Sequence, residues 1–262
     1  MRPQGEARCM IFLKSRDEIE IMRAANLIVA DVLTALQARV RPGVCTAALD
    51  EVAEDMTRKR GAVPAFKGYE VGGRVYPRTV CISINEEVVH GIPSTTRALQ
   101  DGDIVGLDFG VCYQGFFGDA AVTVPVGAVD GESVRLMDTT REALWAAIDR
   151  IRVGSRLGDV SATVQENVER AGFSVVRDFV GHGIGRKLHE EPQVPNFGSR
   201  DRGIRLRAGM VLAIEPMVNA GRPEVRITDD GWTAVTRDGS RSAHFEHSVA
   251  VTEAGPYVLS QP

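Results

Sequence analysis

Six residues of this chain carry acid, base or metal-ligand chemistry in places where plain core is expected. Asp108 lies among Ile104, Val105, Leu107, Phe109 and Val111, which read as a buried strand, and Asp119 follows eleven positions later in a second apolar stretch. Glu215 sits in "GMVLAIEPMVN" (209–219), and Glu246 precedes the β-rich end of "SAHFEHSVAV" (242–251). His182 and His189, seven apart, come from "GHGIGRKLHEEP" (181–192). An ionised carboxylate in an apolar strand is costly unless it is paired or bound to a metal. No basic residue stands between Asp103 and Arg135, so the local sequence supplies no counter-charge. Four such acids with a histidine can instead hold a pair of divalent ions bridged by carboxylates. An oxygen and nitrogen donor set without thiolate favours Mn, Fe, Co or Zn over Ca or Mg. Two ions ~3.5 Å apart acidify a bridging water and clamp a tetrahedral intermediate.

Taken singly, each residue has a plainer reading. Asp108 and Asp119 could form turns, Glu215 before Pro216 could end a strand at the surface, and His182 between two glycines could be a loop histidine. Glu246, flanked by His244 and His247, could face solvent. Their joint occurrence, with two acids at matching positions of an internal repeat, is what points to one site.

That repeat organises the elements. Ser15-Arg-Asp-Glu18 has the form of a helix capping box, and apolar residues at helical spacing from Ile19 to Val40 predict an amphipathic helix over about 16–40, stopped by Arg41-Pro42-Gly43. A second helix closes at Gly61. In the second half, "RIRVG" (150–154) matches "RVRPG" (39–43) with an offset of 111, and Gly172 matches Gly61 with the same offset. "LRAGMVLAIE" (206–215) matches "LQDGDIVGLD" (99–108), placing Glu215 on Asp108, and "VGHGIG" (180–185) echoes "VVHGIP" (88–93). Two copies are too few and too long for a solenoid. The expectation is an α+β chain of two pseudo-twofold halves, about 15–127 and 133–257, whose antiparallel sheets face each other across a shared site with helices outside.

The chain has 262 residues, 44% hydrophobic and 25% charged, with a formal net charge of −4, ordinary usage for a globular protein. The charge and the lack of a basic run argue against nucleic-acid binding. No apolar run reaches the ~18 residues of a membrane span, and the first 25 residues lack the pattern of a signal peptide. Four scattered cysteines with no C-x-x-C pair read as reduced thiols. A cytoplasmic location is expected.

From about Phe12 to Val258 the sequence resembles the methionine aminopeptidases, type I, of the "pita-bread" fold. The resemblance rests on "CISINEEVVHGIP" (81–93), "DFG…GDAAVT" (108–123), "GHGIG…HEEP" (181–192), "AIEP" (213–216) and "SAHFEHSVAVT" (242–252). It implies a single catalytic domain over 10–260 after a short leader, 1–9, with two metal ions (Co, Mn, Fe or Zn) at its centre. It implies that Asp108 chelates one metal, that Asp119 and Glu246 bridge the pair, and that His182 and Glu215 complete the coordination of the second ion. Glu215 would transfer the proton, His189 would hold the scissile carbonyl oxygen, and His90 would contact the substrate backbone. Tyr69, Tyr76, Cys81, Leu188 and Trp232 would line a pocket for methionine, whose unbranched thioether suits an apolar cleft. The stretch "YEVGGRVYP" (69–77) is a few residues longer than is usual in the family, and His244 stands where the family often has Gln. A strand through 244–246 would put His244 and Glu246 on one face, next to the metals.

Glu215 and Glu246 are 31 apart, which leaves no room for the insertion of type II members, and the short leader leaves none for the extra domain of prolidases. The expected activity is removal of the initiator methionine when the second residue is small and uncharged. The expected partners are nascent polypeptide N-termini with a transient ribosome contact, and the chain is expected to be a monomer. The rival reading is an inactive protein of the same fold that only binds RNA, ribosomes or proteins. Such proteins typically lose metal ligands, and all five are present here.

Overall fold

The computed structural model describes residues 10–261, so the expected leader 1–9 lies outside the described residues. Among the described residues four helices carry the outer layer: α1 (Arg16–Gln37), α2 (Thr46–Lys59), α3 (Gly131–Ile148) and α4 (Leu157–Arg170). The Ser15 hydroxyl accepts from the Glu18 amide and the Glu18 carboxylate from the Ser15 amide, so α1 begins with the expected capping box. It ends three residues before the expected 40. Arg39 and Val40 turn back on Leu36 and Gln37 in a tighter winding, because Pro42 lacks an amide and disfavours helix before it. The paired glycines of the repeat have a common cause: Gly43 and Gly154 both turn the chain at positive φ, +84° and +89°.

The two halves do not contribute separate sheets that face each other. Their strands join edge to edge in one nine-stranded antiparallel sheet. Ile104–Tyr113 and Phe116–Pro125 form its long first-half hairpin. Val211–Ile214 pairs with Glu246–Thr252 in the second half. The seam is Glu246 opposite Ala121 and His247 opposite Ala120. The reason is geometric: after the break at Phe245 the chain emerges alongside the free edge of Phe116–Pro125, and unpaired edge amides and carbonyls are satisfied by pairing.

Strand alternation then divides the chemistry. Leu107, Phe109, Val111 and Ala120 point to one side and pack with Val29, Leu33, Leu36 and Leu49 of the first two helices. Leu212, Ile214, Val249 and Val251 pack with Leu144, Ile148 and Val164 of the last two. Side chains at the intervening positions face the other side of the sheet, and those positions hold the acids. Helix α1 lies close enough on Phe116–Pro125 that a Cβ on Gly118 would stand 2.8 Å from the Asn26 amide nitrogen. The Asn26 side-chain oxygen accepts from the amide of Asp119, the next residue, at 3.3 Å. We therefore expect Gly118→Ala to lower the urea midpoint by the equivalent of ~1–3 kcal/mol, the usual cost of overpacking. An unchanged midpoint would contradict this packing.

Candidate metal centre and substrate cavity

Strand register alone gathers most of the centre. Ala121 is paired with Asp108 on one side and Glu246 on the other, so all three side chains share a face. Asp119 is two residues from Ala121 and points the same way. Ala213 is paired with His182 on one side and Ser248 on the other, and Ser248 is two residues from Glu246. Three carboxylates and an imidazole thus share one sheet face, with alanine and serine between them leaving room. Glu215 follows the strand Val211–Ile214 directly. Its carboxylate lies between two imidazoles, 3.4 Å from His182 Nε2 and 3.6 Å from His244 Nε2.

Asp119, His182 and Glu246 each offer a ligand atom within 4.8 Å of the others. Asp108 and Glu215 line the same cavity. Asp108 Oδ1, Asp119 Oδ1 and Glu246 Oε1 are buried with no hydrogen-bond partner among the described residues. Buried carboxylate oxygens are costly without a partner, and three of them converging beside an imidazole suit a divalent cation. Burial pushes Glu215 up to about 8. Burial, with the Glu215 charge adding and His244 opposing, raises Asp108 to about 7. Burial and the neighbouring carboxylates push Asp119 and Glu246 well above the usual range.

The histidines are held neutral. Burial lowers His182 to about 3, with His189 adding, while His182 Nδ1 meets the Gly183 carbonyl at 2.9 Å. Burial lowers His90 to about 4, reinforced by His244 and His189. His90 has φ +63°, a strained conformation for a residue with a Cβ, of the kind that collects at functional sites. Its ring stands edge-on to Phe179 at 5.5 Å. Gly91 next to it has no room for a Cβ, which would lie 2.2 Å from the Ile82 carbonyl oxygen. His189 sits at the cavity edge, with its Nδ1 2.7 Å from the Tyr69 hydroxyl and its ring 4.4 Å from that of His182. The next residue, Glu190, is fixed by a buried ion pair with Lys14 at 2.6 Å.

His244 reaches the centre by a route other than the expected one. The strand breaks at Phe245: Ser242–His244 pairs with Met217–Asn219 in a separate three-stranded sheet, and Glu246 belongs to the large sheet. The two residues therefore do not share a strand face.

The cavity beside the centre measures about 220 Å³, room for a side chain but below the ~300 Å³ at which pockets for drug-sized ligands begin. All five residues expected to line a methionine pocket line it, together with His90 and His189. The Tyr76 hydroxyl donates to the Gly91 carbonyl at 2.9 Å, and its ring stands edge-on to Trp232 at 5.3 Å. Cys81, paired with Asp108 across adjacent strands, forms part of the floor, and burial pushes its thiol well up. Sequence reading missed Phe66, Val71, Val89, Phe179 and Met217, which also line the cavity. Single apolar residues carry no mark of a cavity. For Val71 the long 69–77 stretch was the available signal.

The chain matches the model of metallopeptidase family M24 over residues 20–253. It is 51% identical over 251 residues to a methionine aminopeptidase of Clostridium perfringens, covering 96% of this chain and 99% of that one. The crystal structure of methionine aminopeptidase from Thermotoga maritima superposes with a TM-score of 0.94 at 48% identity, covering 97% of this chain and 100% of that one. Prolidase from Pyrococcus furiosus shares the fold, with a TM-score of 0.76 at 22% identity; the match covers 95% of this chain and 65% of the prolidase.

The raised carboxylates fix a pH dependence for metal-stripped protein. Unfolded carboxyls titrate near ~4, and the folded values of Asp108 and Glu215 are about 7 and about 8. Their contribution is present in full below about pH 4 and is lost as pH rises through those folded values, by at most ~1.4 kcal/mol per pH unit for each. We expect the thermal midpoint of stripped protein to fall between mildly acidic and mildly alkaline pH. Asp108→Asn should flatten the fall, and added divalent metal should abolish it. A stripped protein with no such fall would contradict these shifts.

Proposed function

The chain belongs to metallopeptidase family M24, and from that premise we propose that it removes the N-terminal methionine of nascent proteins and peptides by metal-dependent hydrolysis. The observation that carries this reading is the set of acids and one imidazole converging on a small apolar cavity, in a chain half identical to a methionine aminopeptidase. Asp108, Asp119, His182, Glu215 and Glu246 are assigned to hold two divalent ions, drawn from Co, Mn, Fe or Zn. Bound there, the ions supply Lewis acidity and lower the pKa of a coordinated water.

The remaining work falls to the chain itself. The apolar side chain at the substrate's amino end enters between Tyr69, Tyr76, Leu188 and Trp232, against the Cys81 floor, where a flexible thioether packs without a polar partner. Glu215, which lines the cavity beside His182 and His244, is assigned the proton transfer. In the tautomer where the Tyr69 hydroxyl donates to His189 Nδ1, the hydrogen sits on Nε2, ready to bond the carbonyl oxygen of the scissile peptide. His90, neutral and held in its strained conformation, positions the backbone beside that bond. We take the preference to be for a small, uncharged second residue; the cavity, at about 220 Å³, holds little more than one side chain.

The direct test measures methionine released from a Met-Ala-Ser peptide by metal-stripped protein and by protein resupplied with each of the four metals in turn. Release is expected to return with metal, to be absent for Met-Arg-Ser, and to be lost in Asp108→Asn. Glu215→Gln should reduce kcat by ~10²-fold or more. No release under any metal from folded protein would refute the proposal.

A further inference from the structure

The stretch 69–77 is more than a connection between two tyrosines of the pocket. Glu70–Val71 and Arg74–Val75 pair as a hairpin, with Val71 opposite Arg74 and Glu70 opposite Val75. Directly opposed residues project to the same side, so Val71 and Arg74 share one face and Glu70 and Val75 the other. Val71 lines the cavity and is nevertheless 54% exposed, which places it at the rim. Arg74 projects on that same side. Its Nη1 donates to the Gly231 carbonyl at 3.2 Å. The guanidinium also lies against the Gly231 Cα, where a Cβ would meet Nη1, Cζ and Nε at 2.4, 2.6 and 2.8 Å. Gly231 precedes Trp232, the wall of the cavity that stands against Tyr76. Arg74 thus spans from the hairpin to the turn 228–233 at the mouth of the site. Among the described residues it forms no ion pair. The carboxylate of Asp230 on that turn is engaged by the Trp232 and Thr233 amides and the Thr233 hydroxyl, and Asp229 is exposed.

We infer that Arg74 is a specificity-determining residue whose charge makes the enzyme prefer acidic over basic side chains just beyond the second substrate position. The inference rests on the proposed methionine removal: a peptide whose first side chain fills the cavity must leave past the rim. An extended chain advances ~3.5 Å per residue, so a peptide that leaves past Val71 at the rim would bring its third residue near the face that Val71 shares with Arg74. Charges there interact through water, so the effect is modest and salt-dependent: the screening length is ~8 Å at physiological ionic strength.

The test compares kcat/KM for Met-Ala-Glu-Ser, Met-Ala-Lys-Ser and Met-Ala-Gln-Ser at low and high salt, using metal-loaded full-length protein. The expected order at low salt is Glu, Gln, Lys, with ~3–10-fold between the extremes, carried mainly by KM and collapsing at high salt. Arg74→Lys should keep the order, Arg74→Gln should erase it and Arg74→Glu should reverse it. Equal rates for the Glu and Lys peptides, or a preference that survives Arg74→Gln, would overturn the inference while leaving the methionine reading intact. An equal loss on all three peptides in both the Lys and Gln variants would mark a purely structural clasp and overturn it too. Failure to cleave any of the peptides with any metal would refute the methionine reading itself, and the inference with it.

Discussion

Mutual repulsion among buried carboxylates is the constraint around which this molecule is arranged. Asp108, Asp119 and Glu246 share one face of the sheet with Glu215 at its edge, and burial pushes every one of them toward the protonated form. Among the described residues no lysine or arginine pairs with them: the groups beside Glu215 are the imidazoles of His182 and His244, both held below their ordinary pKa. Such a cluster persists only if a cation relieves it or if the surrounding fold forces it to stay. Residues between the acids are small, as at Ala121, Ala213 and Ser248, so the space the fold keeps open at this point is the right kind for ions.

The same sheet works differently on its two faces. Large apolar residues from Leu107 to Val111 anchor it to α1 and α2, and their counterparts Leu212, Ile214 and Val249 anchor it to α3 and α4. Rigid packing on the helical side is what lets the other side hold four acids against their repulsion. Elements on the cavity side are shorter and more irregular. The strained His90, the Tyr69 to His189 contact and the hairpin at 70–75 all belong to connections between strands. Such connections tune a site without disturbing the core beneath it.

The alternation of Val105, Leu107, Phe109 and Val111 with Gly106, Asp108 and Gly110 was legible as a strand with acids on one side, because a period of two is local information. The paired landmarks at Gly43 and Gly154 were legible as a repeat because both turns require positive φ. Pairing between the halves was not legible. No local pattern says that Glu246 will lie opposite Ala121, and the expectation of two separate sheets failed for that reason. His244 was expected beside the metals through a shared strand with Glu246. It does reach the centre, beside Glu215, but from another sheet, because the chain breaks at Phe245.

Residue type and spacing by themselves determined the chemistry of this protein: acids in apolar strands with no basic neighbours need a cation, and histidines near them need no charge. They also determined the helices, through capping and periodicity. Tertiary structure alone decided which residues meet. It made one sheet of two half-sheets, set Tyr69 against His189, and laid Arg74 across to Gly231. The reason is that such contacts depend on register and on the meeting of distant segments, quantities that no stretch of sequence carries within itself.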